Sequence, residues 1–161
     1  MDLKTVRVQI PAGANIILGQ THFIKTAEDL YEILAGASPH IKFGLAFTEA
    51  SGPCLIRHEG NDAELTQAAI ATVQDVGAGH VFAIYLREAF PINVLNAVKM
   101  CPEVCRVYCA TANSLEVVVA ETAQGRGVVG VIDGSSPKGV EQDADKAARK
   151  TLLRNFGYKV K

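Results

Sequence analysis

Two histidines sit where an imidazole could meet an anion. His22 lies in Gln20-Thr21-His22-Phe23-Ile24-Lys25-Thr26, at a strand end leading into a predicted helix N-terminus. His58 lies among Arg57, Glu59, Asn61 and Asp62, again just ahead of a helix. Free amides at a helix start welcome anions, and an imidazole can act as a base, a transient phosphate acceptor or a hydrogen-bonded core group. His40 follows Ser38-Pro39 and is expected in solvent. His80 opens a strand after Gly77-Ala78-Gly79, where a satisfied buried histidine and a functional one fit equally well.

Other groups are weaker signals. Gly125-Arg126-Gly127-Val128-Val129-Gly130 fits G-x-G-x-x-G, but a dinucleotide site needs a helix to follow and here a strand does. Two alternatives stay open for it: a plain hairpin turn, or a flexible turn holding Arg126 toward an anion. Asn93 and Asn96 fall one helical turn apart, opposite an apolar stripe, as amides for a base or ribose edge or as a wetted surface. Glu49 with Ser51, Asn113, Glu121 with Gln124, and Asp133 fall at predicted strand ends, where open α/β sheets collect ligand groups. Cys101, Cys105 and Cys109 are evenly spaced, yet Cys105 and Cys109 on one strand face lie roughly 13 Å apart, too far to share an ion. No metal site is expected, and reduced, buried thiols are. There is no G-x-x-x-x-G-K-[ST], no protein-kinase motif set and no G-x-S-x-G elbow.

The elements that must position these groups follow from periodicity. Val6, Val8 and Ile10 alternate, and Asn15–Ile24 continues extended after a Pro11–Gly13 turn. Thr26-Ala27-Glu28-Asp29 has capping-box spacing ahead of Leu30, Ile33 and Leu34, predicting a helix to about Ala37. Strands are predicted at Lys42–Ala50 and Leu55–Arg57. Asp62 then caps a helix with Leu65, Ala69, Val73 and Val76 inward, which Gly77 and Gly79 end. Val81–Leu86 reads as a central strand covered on both faces. Pro91 opens a helix with an Ile92, Leu95 and Val98 stripe that Pro102 stops, and Cys105–Thr111, Leu115–Glu121 and Val128–Asp133 suggest an antiparallel meander. A surface helix over Glu141–Phe156, with Ala148, Leu152 and Phe156 inward, closes the chain. The fold expected is α/β: a mixed sheet with helices packed on it, strand-helix alternation first, then the meander and the C-terminal helix.

Composition bounds the function. At 161 residues, 48% hydrophobic and 20% charged, the chain has enough apolar material to pack as a single domain over 1–161. Sixteen basic against 17 acidic residues leave a net charge of -1, with no basic stripe to neutralise phosphates, so nucleic acid is not an expected partner. Neither a cationic leader nor an apolar run approaching the roughly 20 residues of a membrane helix appears, so no membrane association and a cytoplasmic location are expected.

The histidine and arginine segments above carry a resemblance, together with Phe47-Thr48-Glu49-Ala50-Ser51-Gly52, Gly77-Ala78-Gly79-His80-Val81-Phe82 and Pro91-Ile92-Asn93-Val94-Leu95-Asn96. Ala110-Thr111-Ala112-Asn113, Ala120-Glu121-Thr122, Gln124-Gly125-Arg126-Gly127 and Val131-Ile132-Asp133-Gly134 extend it over nearly the whole chain. The sequence resembles the adenosine-specific kinase family. The resemblance implies a protomer assembled as a trimer that binds adenosine or AMP in preference to ADP or ATP. Phosphoryl transfer, if it occurs, would use ATP with Mg as donor. A transiently phosphorylated histidine, His22 first and His58 second, would carry the group, with Arg57, Arg126 or Lys25 offsetting its charge. Asn93, Asn96 and Asn113 would hold the nucleoside. The alternative is an adenosine/AMP sensor without turnover; a third, weaker, is a structural subunit whose loops serve assembly.

Overall fold

The computed structural model describes residues 1–160. Its elements run β1 (Asp2–Val8), β2 (Asn15–Thr21), α1 (Thr26–Ala35), β3 (Lys42–Thr48), β4 (Ile56–Gly60), α2 (Ala63–Val76), β5 (Val81–Arg87) and α3 (Pro91–Lys99). Then follow β6 (Val104–Thr111), β7 (Leu115–Glu121), β8 (Arg126–Asp133) and α4 (Asp143–Asn155). The α/β class, the early strand-helix alternation and the terminal helix agree with expectation. The strands divide between two sheets, ordered β4-β3-β5-β2-β6 and β1-β7-β8, and every pairing is antiparallel.

The helices explain how crossovers and antiparallel ladders coexist. α1 joins β2 to β3, α2 joins β4 to β5, and α3 joins β5 to β6. In each case the joined strands are parallel and leave one antiparallel strand between them. Central β5 is buried on both faces, as its apolar run predicts. Val81, Ala83 and Tyr85 pack with Ile16, Leu18, α2 and the small sheet, and Phe82, Ile84 and Leu86 pack with α1 and α3. Helix α2 lies so close to β3 that a Cβ on Gly44 would come within 2.1 Å of the Thr66 amide nitrogen. Asp62 caps α2 by accepting from the Leu65 amide at 3.0 Å.

Several expectations change. The three-strand meander is a β7-β8 hairpin only: β6 pairs with β2, and β7 takes β1 as its other neighbour, Asp2 opposite Glu121 through Val8 opposite Leu115. Tertiary pairing decides this, because all three strands present comparable alternation. Thr26 is not a cap. Lys25 is the N-cap residue, and the Thr26 hydroxyl turns back onto the preceding carbonyls. In α3 the buried residues are Val94 and Val98, with Leu95 half-buried and Ile92 exposed. None of α4 is buried, so Leu152 and Phe156 face solvent in the protomer instead of inward. The four thiols are free, but only Cys101 is buried; Cys54 and Cys105 are exposed.

Candidate functional site

At the Thr48 end of β3 the chain builds a cleft with three adjoining lobes. Its centre is the turn from Glu49 to Leu55 between β3 and β4. The Glu49 amide donates to the Leu55 carbonyl at 3.0 Å, and the Glu49 carboxylate accepts from the Leu55 amide at 2.8 Å. The same carboxylate accepts from Arg57 Nε and Nη2 at 3.1 and 2.9 Å. The Leu55 amide and the Arg57 guanidinium hold Glu49 below its ordinary pKa despite partial desolvation.

Opposite lies the Gly77–His80 turn. The Thr48 hydroxyl donates to the Ala78 carbonyl at 2.7 Å and accepts from the Val81 amide at 2.9 Å. The His80 amide donates to the Thr48 carbonyl, and its carbonyl accepts from the Thr21 amide, both at 2.9 Å. His80 is thus pinned to β3 and to the end of β2. Its ring stacks on Phe47, with centroids 5.8 Å apart and planes at 21°. Gly79 permits the approach of the two turns, since a Cβ there would lie 2.8 Å from the Ala50 Cβ.

The first lobe, about 280 Å³, is lined by Phe23, Ile24, Phe47, His80 and the Glu49–Pro53 turn. Ile24 leads into a second of about 360 Å³ with Glu28, Arg57, His58 and Glu59. Glu49 and Ala50 lead into a third of about 640 Å³ along Gly77, Gly79, Thr122 and Gly125–Gly127. Backbone strain gathers here. Phe23, Cys54 and His80 adopt φ of 73°, 50° and 59°, three of the four non-glycine residues at positive φ among those described. Such conformations persist where surrounding structure over-determines them, and they cluster at functional sites.

Of the residues singled out from sequence, the fold brings Glu49, Ser51, Arg57, His58 and Arg126 to the cleft walls. Glu121 joins through its ion pair with Arg126, and Lys4 pairs with the same carboxylate. Arg126 also donates from Nη1 to the Asp75 carbonyl at 3.2 Å, at the C-terminus of α2. The glycine-flanked turn is therefore a hairpin whose arginine already has partners. His22 is exposed beside Phe23, but its side chain lines none of the three lobes. Lys25 is tied to Asp29 and Glu103.

The remaining residues lie elsewhere. Asn61 is at the far end of β3, where its amide accepts from Phe43 N and donates to Ile41 O, both at 2.8 Å. Asn93 accepts from the Phe90 amide at the start of α3, and Asn96 follows on that helix without lining the lobes. Asn113 donates to Asp133 at 3.1 Å, and Thr111 donates to the same oxygen at 2.8 Å. That pair sits at the Leu115 end of β7, roughly 20 Å of strand from Glu121 and Arg126. Within one protomer Asn113 and Asp133 therefore stand too far from Arg126 to share one nucleoside with it.

Strand alternation also sorts the histidines. His58 pairs with Ala46, whose side chain belongs to the α2-facing core, whereas Arg57 pairs with Phe47 on the α1 side. His80, stacked on Phe47, faces the aromatic lobe, whereas His58 alternates toward the α2 side and meets the cleft only at the wall of the second lobe. Phe23, Phe47 and His80 escaped notice as a group because their convergence is purely tertiary. The signal available was the glycine-rich Gly77-Ala78-Gly79 before His80. Among the described residues one cluster, half-buried Asp29 with buried Cys101 and Glu103, has metal-like spacing. The Lys25 ammonium already occupies it, and a thiol beside two carboxylates does not suit a hard magnesium ion.

A two-sheet α/β frame with an aromatic, ion-paired cleft where its strand ends meet defines the kind of protein present. The adenosine specific kinase family model matches residues 6–159, and the chain belongs to that family. Membership supports an adenosine-related kinase function. The crystal structure of the PH1918 protein from Pyrococcus horikoshii OT3 is similar at 42% identity and a TM-score of 0.94, over 99% of each chain. No curated protein matches the chain. No helix among the described residues is long and apolar enough to cross a membrane.

Proposed function

We propose that the chain binds adenosine or AMP with the purine in the Phe23–Phe47–His80 lobe and phosphorylates the nucleoside through a transiently phosphorylated histidine. The observation that carries this is the convergence, in one small lobe, of two aromatic side chains, an imidazole and the Glu49–Ser51 turn. Aromatic faces take a flat heterocycle by stacking, and the Glu49 carboxylate and Ser51 hydroxyl offer partners to ribose hydroxyls. The cleft's arginines are already paired, Arg57 with Glu49 and Arg126 with Glu121. Each guanidinium keeps free N–H donors, but its charge is already balanced by a carboxylate, which favours a nucleoside or its monophosphate over a triphosphate as the tightly held ligand.

Placement favours His80, which lines the aromatic lobe, as the carrier over His22 at the rim and His58 in the second lobe. As its nitrogen bonds to phosphorus, the bond to the bridging oxygen of ATP breaks and ADP leaves. The 5′ oxygen of adenosine then attacks phosphorus, the N–P bond breaks, and the hydroxyl proton passes to the freed imidazole. Magnesium enters with ATP as part of the donor substrate, because the chain's own acidic cluster does not fit it. Labelled ATP and adenosine should give labelled AMP and an acid-labile phosphoprotein, both lost in His80→Asn and retained in His58→Asn. Calorimetric binding of adenosine or AMP without product would leave a sensor; no binding of either would end both readings.

The same reading takes residues 1–161 as one cytoplasmic domain assembled as a homotrimer. Supporting assembly, α4 has no buried residue while Leu152 on it, Phe156 at its C-cap, and Val129 and Ile132 on β8 are exposed. Sedimentation equilibrium giving a monomer would remove the trimer.

A further inference from the structure

The exposed phenylalanine at the cleft's lip is held by a cluster that the chemistry above does not use. Phe23 is 58% exposed at φ 73°, a conformation costly for a bulky side chain. The residues around it are tied on two levels. On the backbone level, the His22 amide donates to the Glu103 carbonyl at 3.0 Å, and the Thr21 hydroxyl donates to the same oxygen at 2.9 Å. The Thr26 hydroxyl is shared between the His22 and Phe23 carbonyls at 3.0 and 2.8 Å. On the side-chain level, Lys25 Nζ donates to Asp29 and, at 3.1 Å, to Glu103. Cys101 Sγ donates to the other Glu103 oxygen at 3.0 Å. Glu103 is only 4% exposed.

This is an expensive arrangement to keep for stability alone. A carboxylate buried to that degree is tolerated only when fully partnered, and the Lys25 side chain that partners it is 55% exposed and adds little to the core. What the ion pair adds is direction: it joins the N-cap of α1 to the α3–β6 loop, whose Glu103 carbonyl also holds the residue before Phe23. We propose that Lys25 and Glu103 are positioning residues, a clamp that holds the left-handed Phe23 turn so that its ring is presented to the purine. Lys25, read from sequence as a ligand contact, then acts through Phe23. Other charged groups facing the pair are few: Asp29 on α1, and the Cys101 thiol, which burial and the Glu103 carboxylate raise to about 11 and so keep protonated.

The proposal rests on the nucleoside reading, and the experiment separates the two. Adenosine affinity by calorimetry and amide hydrogen exchange over residues 22–26 are measured for wild type, Phe23→Ala, Lys25→Met, Glu103→Gln and Phe23→Ala/Lys25→Met. The clamp requires faster exchange in Lys25→Met and Glu103→Gln and about tenfold weaker binding. It also requires a double variant no weaker than Phe23→Ala alone, because a residue acting through another is not additive with it. Additive losses would make Lys25 a direct contact and overturn the proposal. So would unchanged exchange, or a lowered Tm with unchanged affinity. Wild type that fails to bind adenosine would sink the nucleoside reading, whereas the exchange measurement decides the clamp without ligand.

Discussion

A phenylalanine in the left-handed region costs about 1–2 kcal/mol over an ordinary backbone. Glycine at that position would remove the strain, so Phe23→Gly should raise stability by up to about 1 kcal/mol, offset in part by the extra freedom of the unfolded chain. Loss of one stacking face, worth about 0.5–1.5 kcal/mol, should weaken adenosine binding up to about tenfold. Denaturant titration beside calorimetry checks the pair of effects, and opposite signs are the expected outcome. A second residue-scale prediction concerns pH. Burial alone would raise the Glu103 carboxyl, but hydrogen bonds from Cys101 and Lys25 win and take it from an ordinary 4.5 to about 2. A lowered folded-state pKa means stability fully present above the unfolded value and lost as pH falls through the folded one. The protein should therefore lose stability between about pH 4.5 and 2, and Glu103→Gln should flatten that part of the profile in acid titrations followed by circular dichroism.

At the scale of elements, α2 packs tightly on β3 at Gly44, towards the Asn61 end of the strand and away from the cleft. Gly44→Ala would force a methyl into the Thr66 backbone, which cannot swing away as a side chain can. Overpacking of this kind costs about 1–3 kcal/mol and sometimes more. Urea unfolding should place Gly44→Ala at or beyond the upper end. By contrast, Gly127→Ala in the hairpin strand meets nothing within 4 Å and should cost well under half as much. Asp62→Ala, which removes the cap on Leu65, should cost about 1 kcal/mol. These helices and strands were legible because local pattern and local chemistry agree: an aspartate before an apolar face, a left-handed Gly77 after it, an unbroken apolar run for β5. Thr26 misled because capping-box spacing identifies compatible residues without saying which one leaves the helical conformation. Here the clamp on the preceding turn moves the cap to Lys25.

Across the whole molecule, α4 stands apart. It buries nothing in the protomer, so its apolar residues were misassigned to an inward face by a pattern that records amphipathicity without naming a partner. Truncation after Gly139 should leave the protomer's core and its melting cooperativity intact while lowering the oligomeric state; sedimentation and a thermal scan of the same sample test this. The sequence by itself determined the α/β class, most element boundaries, the family segments and the residue types available to meet a nucleoside, because periodicity, turns and caps are local properties. Only the tertiary structure decided that β6 and β7 join different sheets and that Asn61, Asn93, Asn96, Asn113 and Asp133 stand away from the cleft. It also decided that Phe23, Phe47 and His80 meet. Which residues converge depends on pairing between distant strands, and that is settled by burial of the entire core, a quantity no short stretch of sequence contains.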